Sequence, residues 1–467
     1  MKQAVIIGGG ISGLSTAWLL RRQAQASGVP LQITLLEKEA RVGGKIRTVR
    51  DNGFTCEWGP NGFLDNKPQT LDLCRALGVE DHLLRSNDNA RKRFIYSEGE
   101  LHRLPENGPS FLKSRLLSWP GKLRLAGEPF AAAAPPGLDE TLADFARRRL
   151  GQEALDKLIG PMVSGIFAGN PETMSLKSCF PRIAELERDY GGLFKAMLKL
   201  AGQKRRERAQ GKQVASAAGP GGTLTSFREG IQVLTDTLRD QLDSAVRADC
   251  GVQAVQADGD RYRLDTDGCG SLTADLVILA APAYEAAALL APLNQEISRL
   301  LGEIPYASLS VICCGYERER ISHPLDGFGY LITRKEGRST LGTLWDSSMF
   351  DNRAPDDKVL LRSMAGGACL PELVGLPDGL LLSRVQDDLR LIMGIEAEPS
   401  FVRIFKHQQA IPQYVVGHAE RLTALEGLAA GHPGLFLTGN AFRGVGLNDC
   451  VASSQLTVER AMRFLQG

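Results

Sequence analysis

No charge of one sign dominates this 467-residue chain: 55 Lys and Arg stand against 54 Asp and Glu, a net charge of +1. That balance excludes a general electrostatic pull toward nucleic acid. Long apolar runs are lacking too. A membrane-crossing helix needs about 20 predominantly apolar residues. The nearest candidate, LVILAAPAYEAAALLAPL from Leu276, is split by Pro282 and Glu285. The N-terminal apolar segment is broken at once by glycines, which argues against a secretory signal. Metal ligands are scarce: six histidines are scattered singly, so no zinc or haem constellation is expected and the metal assignment is none. Nine cysteines, an odd number with no CxxC pair, argue against a disulfide framework and for a reducing cytoplasm. What is abundant is glycine, at 51 residues. With 43% hydrophobic residues, a chain of this length supports two or three domains.

The glycines have an order. Residues 3–7, QAVII, read as a short buried strand. Gly8-Gly9-Gly10-Ile11-Ser12-Gly13 follows, then a helix from about Ser12 to Gln25, then a second strand, ITLLEK. Strand, G-x-G-x-x-G turn and helix open a doubly wound α/β sheet. The first glycine permits the tight turn. The second lets backbone approach a pyrophosphate, and the third lets the helix pack close. Glu37 ends the second strand, 24 residues beyond Gly13, where a carboxylate binds a ribose 2′-hydroxyl and repels a 2′-phosphate. Its neighbour Lys38, with Arg41, Gly44 and Lys45 in RVGGK, adds a second glycine pair flanked by cations, a second anion cradle.

Further along, residues 90 to 200 show helical spacing in TLADFARRRLG and ALDKLIGPMVSGIF. Residues 201–222 are basic, then small and glycine-rich, and read as an exposed connection. FREGIQVLTDTLRDQL, 227–242, reads as an amphipathic helix. Short strands follow, then a mixed region from 305 to 405, and the end returns to strand, turn and helix in GLFLTGNAFRGVGLNDCVASSQLTVERAMRFL.

The R-x-G-G-[KR] element after an acidic strand end resembles the flavoprotein amine-oxidase superfamily. Val252 in CGVQAV has the placement of its adenine-contacting valine. Gly439-Asn440 and Val445-Gly446-Leu447-Asn448-Asp449 resemble its C-terminal flavin element. Within that superfamily the chain resembles the protoporphyrinogen oxidase family over nearly its whole length, in GGGISGL, RVGGKIRT, EWGPNGF, SGIFAGNPETMSLKSCFP, LDGFGYLI, TLGTLWDSSMF, IPQYVVGH and GVGLNDC. The implied fold is α/β, α+β overall. A Rossmann-type FAD-binding domain is assembled from 1–88, 222–290 and 406–467. A helical, membrane-associating domain spans 89–205, a flexible basic and Gly-rich connection 206–221, and a mixed-sheet substrate domain 291–405.

The resemblance implies FAD as cofactor, with contacts also from Gly59, Pro60, Asn61 and Gly62. It implies six-electron oxidation of protoporphyrinogen IX to protoporphyrin IX in three flavin-mediated steps, in haem biosynthesis. Dioxygen, or a quinone, would be the acceptor, and dioxygen would yield hydrogen peroxide. No triad, acid–base dyad or metal site is needed, because positioning and desolvation carry such a reaction. Arg93 matches the propionate-pairing arginine. Phe328, Leu331 and Met364 match pocket-wall residues, and Gly165 a glycine whose backbone faces the macrocycle. Asn61 is implied to orient flavin or substrate. A related branch oxidises coproporphyrinogen III. It tends to lack the arginine and to read AGD and PDC where this chain has Ala168-Gly169-Asn170 and Asn448-Asp449-Cys450, so the chain sides with the protoporphyrinogen branch. Competing readings are coproporphyrinogen oxidation, an amine oxidase or carotenoid desaturase, and a non-catalytic flavin- or porphyrin-binding protein. FLKSRLLSWPGKLRLAGEPF, 111–130, mixes Phe, Leu and Trp119 with Lys and Arg, as a peripheral attachment to the inner face of the cell membrane requires. A homodimer and a ferrochelatase contact are compatible with the family, though no residue pattern marks either.

Overall fold

The computed structural model describes residues 1–135, 137–209 and 222–467. Two compact units emerge. The first comprises Met1–Arg85, Thr223–Pro305 and Glu420–Gly467; the second comprises Ser86–Gly222 and Tyr306–Ala419.

In the first unit five strands form an all-parallel sheet. Their order is Val246–Arg247, Leu31–Leu36, Lys2–Ile7, Leu276–Leu279 and Leu435–Leu437. Ala4–Ile7 and Leu276–Leu279 are apolar and buried throughout because helices cover both faces of such sheets. Ile6, Leu35 and Ile278 pack with Leu14 and Leu20 of the first helix, Ile11–Ala26, and with Val451 and Val458 of the last, Leu447–Gln466. These two helices touch through small polar residues: Ser15 Oγ donates to Ser454 Oγ at 2.9 Å. The helix expected from residue 227 starts later. Leu224–Phe227 is a strand, paired with Phe63–Leu64 and Leu83–Arg85, and the helix runs Gln232–Leu242. Of the expected segment only Phe227 falls in the strand, and residues 228–231 form the turn that leads into the helix.

A three-stranded antiparallel sheet, Gly251–Asp258, Arg261–Asp267 and Ser271–Ala274, adjoins this core. It corrects one expectation. Cys250 and Cys269 are paired as a disulfide, with Cα atoms 5.8 Å apart. The pairing of Gly251 with Asp267 brings together the chain just inside both positions, a proximity that cysteine spacing does not reveal.

The second unit is built on a seven-stranded mixed sheet. Its order is Phe401–Pro412, Tyr306–Glu317, Lys358–Gly366, Thr340–Trp345, Gly329–Ile332, Arg93–Ser97 and Glu100–Arg103. The last two strands correct the helical reading of the stretch after residue 90. One face carries Tyr96, Ile312, Tyr330 and Leu361 against Leu381, Val385 and Leu389 of the helix Asp378–Met393. Helices make up much of residues 108–209. Ser118 and Thr141 cap two of them by accepting from Gly121 N and Asp144 N, as helix starts require. Arg149 and Glu128, both fully buried, pair at 3.0 Å, and Glu187 joins them at 2.7 Å from Arg149. The Glu128 carboxylate also accepts from Leu193 N and Phe194 N at the start of the helix Leu193–Ala209. The basic, Gly-rich connection expected at 206–221 lies, from residue 210 on, outside the described residues.

Candidate functional site

In the first unit the glycine motifs converge. Gly8 has φ +104°, and a Cβ there would meet the Ala280 carbonyl carbon at 3.0 Å. A Cβ on Gly13 would overlap the Gly8 carbonyl oxygen, so only glycine lets the first helix seat on its turn. That helix starts at Ile11 behind Gly10, without a side-chain cap. Its first amides therefore stay available to an anion. The second glycine element lies directly against the first. Gly43 N donates to Gly9 O at 2.7 Å, and Gly10 bridges Gly43 in parallel. Gly44 has φ +55°, and its missing Cβ would come within 3.2 Å of Gly10 Cα.

The charged residues divide the labour. Glu37 is buried at the end of its strand. One carboxylate oxygen accepts from Gly9 N at 2.7 Å and the other from Glu39 N at 2.9 Å, which locks the acid beside the turn. Arg41 turns inward on its own loop. It donates to the carbonyls of Val42, Gly44 and Ile46 at 2.7–3.0 Å, so its side chain braces the second glycine turn. The Lys38 side chain faces outward and pairs with Glu285 at 2.7 Å. Burial lowers the Lys45 ammonium from the ordinary lysine value to about 8, which primes it for an anion that restores the charged form.

Segment 57–63 packs beneath. A Cβ on Gly59 would come within 2.5 Å of the Lys45 carbonyl oxygen. Gly62 sits as tightly on the Thr225 carbonyl, and Asn61 is buried between them in sequence. Pro60 separates Gly59 from Asn61. Glu57, fully buried, accepts from Thr48 Oγ1 at 2.7 Å and Ile231 N at 2.9 Å; it opens the EWGPNGF segment, where sequence reasoning assigned it no role. Val252 stands at the bulge opening its strand, and Cys250 N donates to Glu37 O at 2.9 Å, which ties that strand to the acid. Asn440 and Val445 are half-buried in the turn before the last helix. That helix begins at Leu447 behind Gly446, again without a side-chain cap. Ser454 Oγ of the same helix donates to Ser12 O at 3.0 Å.

In the second unit the expected pocket residues share one face of the large sheet. Gly342 pairs with Leu331 on one side and Met364 on the other, while Gly329 pairs with Arg93. Period-two alternation puts Arg93, Leu331 and Met364 on the face opposite Tyr330. A Cβ on Gly342 would come within 3.0 Å of Leu331 Cδ2, so the Leu331 side chain leans over this glycine. Above them lies the helix Gly160–Phe167, where a Cβ on Gly165 would come within 2.9 Å of Leu331 Cδ1. The Arg93 guanidinium stacks 5.2 Å from the centre of the Phe328 ring. Burial pulls its pKa below the ordinary arginine value, and no carboxylate of the described residues pairs with it. Gln413, missed in the sequence, ties the end of the same helix to the sheet: its Nε2 donates to Phe167 O at 2.8 Å and Ile411 O at 3.1 Å. An open groove of about 700 Å³ elsewhere in this unit is lined by Leu138, Asp139, Glu172 and Val416; none of the expected site residues lines it.

Two uncapped helix starts, two interlocked glycine turns and a locked acid suit a dinucleotide with a long phosphate-linked body. The profile of the flavin containing amine oxidoreductases matches residues 11–462, and the chain belongs to that family. Its cofactor is FAD. Among curated relatives it is 34% identical to protoporphyrinogen oxidase 1, chloroplastic, of Arabidopsis thaliana, covering 99% of this chain and 88% of that one. It is 32% identical to coproporphyrinogen III oxidase of Bacillus subtilis (strain 168), over 99% and 98% of the two chains. A crystal structure from Exiguobacterium sp. 255-15, provisionally assigned as a protoporphyrinogen oxidase, superposes with a TM-score of 0.84 at 31% identity, covering 100% and 99%. Putrescine oxidase, at 16% identity and a TM-score of 0.70, shares the fold.

Proposed function

We propose that the protein oxidises protoporphyrinogen IX to protoporphyrin IX, the porphyrinogen losing six electrons and six protons in three rounds. Dioxygen accepts each electron pair and leaves as hydrogen peroxide. The observation that carries this reading is Arg93, a partly desolvated guanidinium with no carboxylate partner among the described residues, on the same sheet face as Leu331 and Met364. A half-buried cation without a counter-charge among the described residues calls for an anionic ligand. Its planar fork suits a propionate, while Phe328, Leu331 and Met364 offer apolar surface to a macrocycle. Relatives named for both porphyrinogens support the substrate class.

FAD, when bound, supplies the two-electron acceptor for each round. The chain's own residues hold and shield: Arg93 anchors a propionate, Gly165 lets the Leu331 side chain pack against its helix, and Asn61 orients its neighbours. Residues 108–130 support peripheral membrane attachment at the cytoplasmic face. Leu112, Trp119 and Leu123 are exposed there, and Phe130 is 92% exposed, with Lys122 set 4.6 Å from the centre of the Trp119 ring. No helix of the described residues is long and apolar enough to cross a membrane.

The test is anaerobic addition of protoporphyrinogen IX, coproporphyrinogen III or an amine to the yellow protein. Bleaching fastest with protoporphyrinogen is expected. Faster bleaching with coproporphyrinogen or with the amine would replace the substrate, and no bleaching with any of them would leave a binding protein.

A further inference from the structure

The first turn of the last helix holds a side chain that the glycine motifs do not account for. Asn448 is the second residue of Leu447–Gln466 and only 7% exposed. Its Nδ2 donates to the Leu64 carbonyl at 2.8 Å. That bond fixes which way the amide points, because a carbonyl can only accept. Oδ1 therefore faces away from Leu64. It is buried, and no donor reaches it among the described residues. Buried polar atoms in folded proteins are nearly always hydrogen-bonded, so a donor from outside the chain is called for.

The surroundings say what kind. Leu64 directly follows the segment Gly59–Phe63. Further along the same helix, Ser454 Oγ donates to the Ser12 carbonyl of the glycine turn at 3.0 Å. Asn448 thus stands where three flavin segments meet. The neighbouring acid, Asp449, is already paired with Lys67 at 2.6 Å, so this corner carries no unbalanced charge. A neutral, rigid acceptor suits a neutral, rigid donor. The isoalloxazine ring of oxidised flavin has one such group, its imide N–H; its two carbonyls and unsubstituted ring nitrogens accept. Ribityl hydroxyls, by contrast, can turn toward water or the protein.

We infer that Asn448 Oδ1 accepts a hydrogen bond from the imide N–H of the flavin ring and thereby orients the ring against the helix start. The inference rests on the FAD assignment. Leu64 holds the acceptor in place before the cofactor arrives, which reduces the ordering cost on binding.

The test uses the full-length chain, stripped of flavin and titrated with FAD or its N3-methyl analogue, with quenching of flavin fluorescence as the readout. Wild type is expected to bind FAD at least tenfold tighter than the methylated analogue. Asn448→Leu, of similar volume, and Asn448→Ala are both expected to bind FAD about five- to tenfold more weakly and to treat the two flavins alike. The ratio of the two affinities cancels any general loosening of a variant. Bound FAD in the variants is also expected to show a shifted visible band. Equal binding of both flavins by wild type would overturn the inference, as would unchanged discrimination in both variants. Failure of wild type to bind FAD at all would instead sink the FAD assignment.

Discussion

Replacing Arg93 with leucine removes the charge and keeps an apolar stem against Phe328. The structure sets the size of the effect. Arg93 makes no ion pair with a described carboxylate, and burial already works against its charge, so no charged group inside the fold loses a partner. The lost cation–π contact with Phe328, 5.2 Å from the ring centre, is worth roughly 0.5–1 kcal/mol. Relief of the desolvated charge offsets it, so the urea midpoint should barely move. The substrate does lose a partner. Hydrogen bonds to charged groups are worth about 1.5–3 kcal/mol, which corresponds to roughly 10- to 150-fold in kcat/KM. Because a propionate is bound equally before and during oxidation, the loss should fall on KM. The assay is the appearance of porphyrin fluorescence over a range of protoporphyrinogen concentrations. The dimethyl ester, which lacks carboxylates, serves as the control: Arg93→Leu should oxidise it as well as wild type does. A loss confined to kcat, or an equal loss with the ester, would refute the reasoning.

Gly13→Ala should give a colourless protein, because the added Cβ overlaps the Gly8 carbonyl oxygen; the visible absorbance of the purified variant checks this. FAD affinity should be greatest below pH 8 and should weaken as pH rises past it. The free chain's Lys45 loses its proton at about 8, whereas the charged form is the one that binds diphosphate, so the bound pKa lies higher. Lys45→Met should flatten that profile in a titration of flavin fluorescence. Leu123→Ser combined with Phe130→Ser should lower sedimentation with anionic lipid vesicles by severalfold while leaving flavin content unchanged, since both side chains are exposed.

The flavin half of the site is legible in the sequence because its requirements are local. A backbone that must approach phosphate needs glycine at fixed spacing, and Gly8, Gly13, Gly43 and Gly44 each occupy a conformation or contact that forbids a side chain. The roles of the charged residues are not legible in that way. Arg41 and Lys38 occur in the same short run as Lys45. Folding turns the first onto its own loop and sends the second outward to Glu285, while it buries the third. The helix expected from 227 begins late, and 93–103 are strands. In the first case a turn at 228–231 delays the helix; in the second, pairing with Gly329–Ile332 overrides local periodicity.

By itself the sequence determined the glycine turns, the acid at the end of the second strand and the family, because each is written in contiguous residues whose spacing the chemistry dictates. Tertiary structure alone decided three other things: that Arg93, Leu331 and Met364 share a sheet face, that Cys250 meets Cys269, and that Asn448 keeps a buried oxygen without a donor. Each depends on strand register or on which neighbour takes a hydrogen bond. Those are settled by competition among segments far apart in the chain, and no local pattern records the outcome.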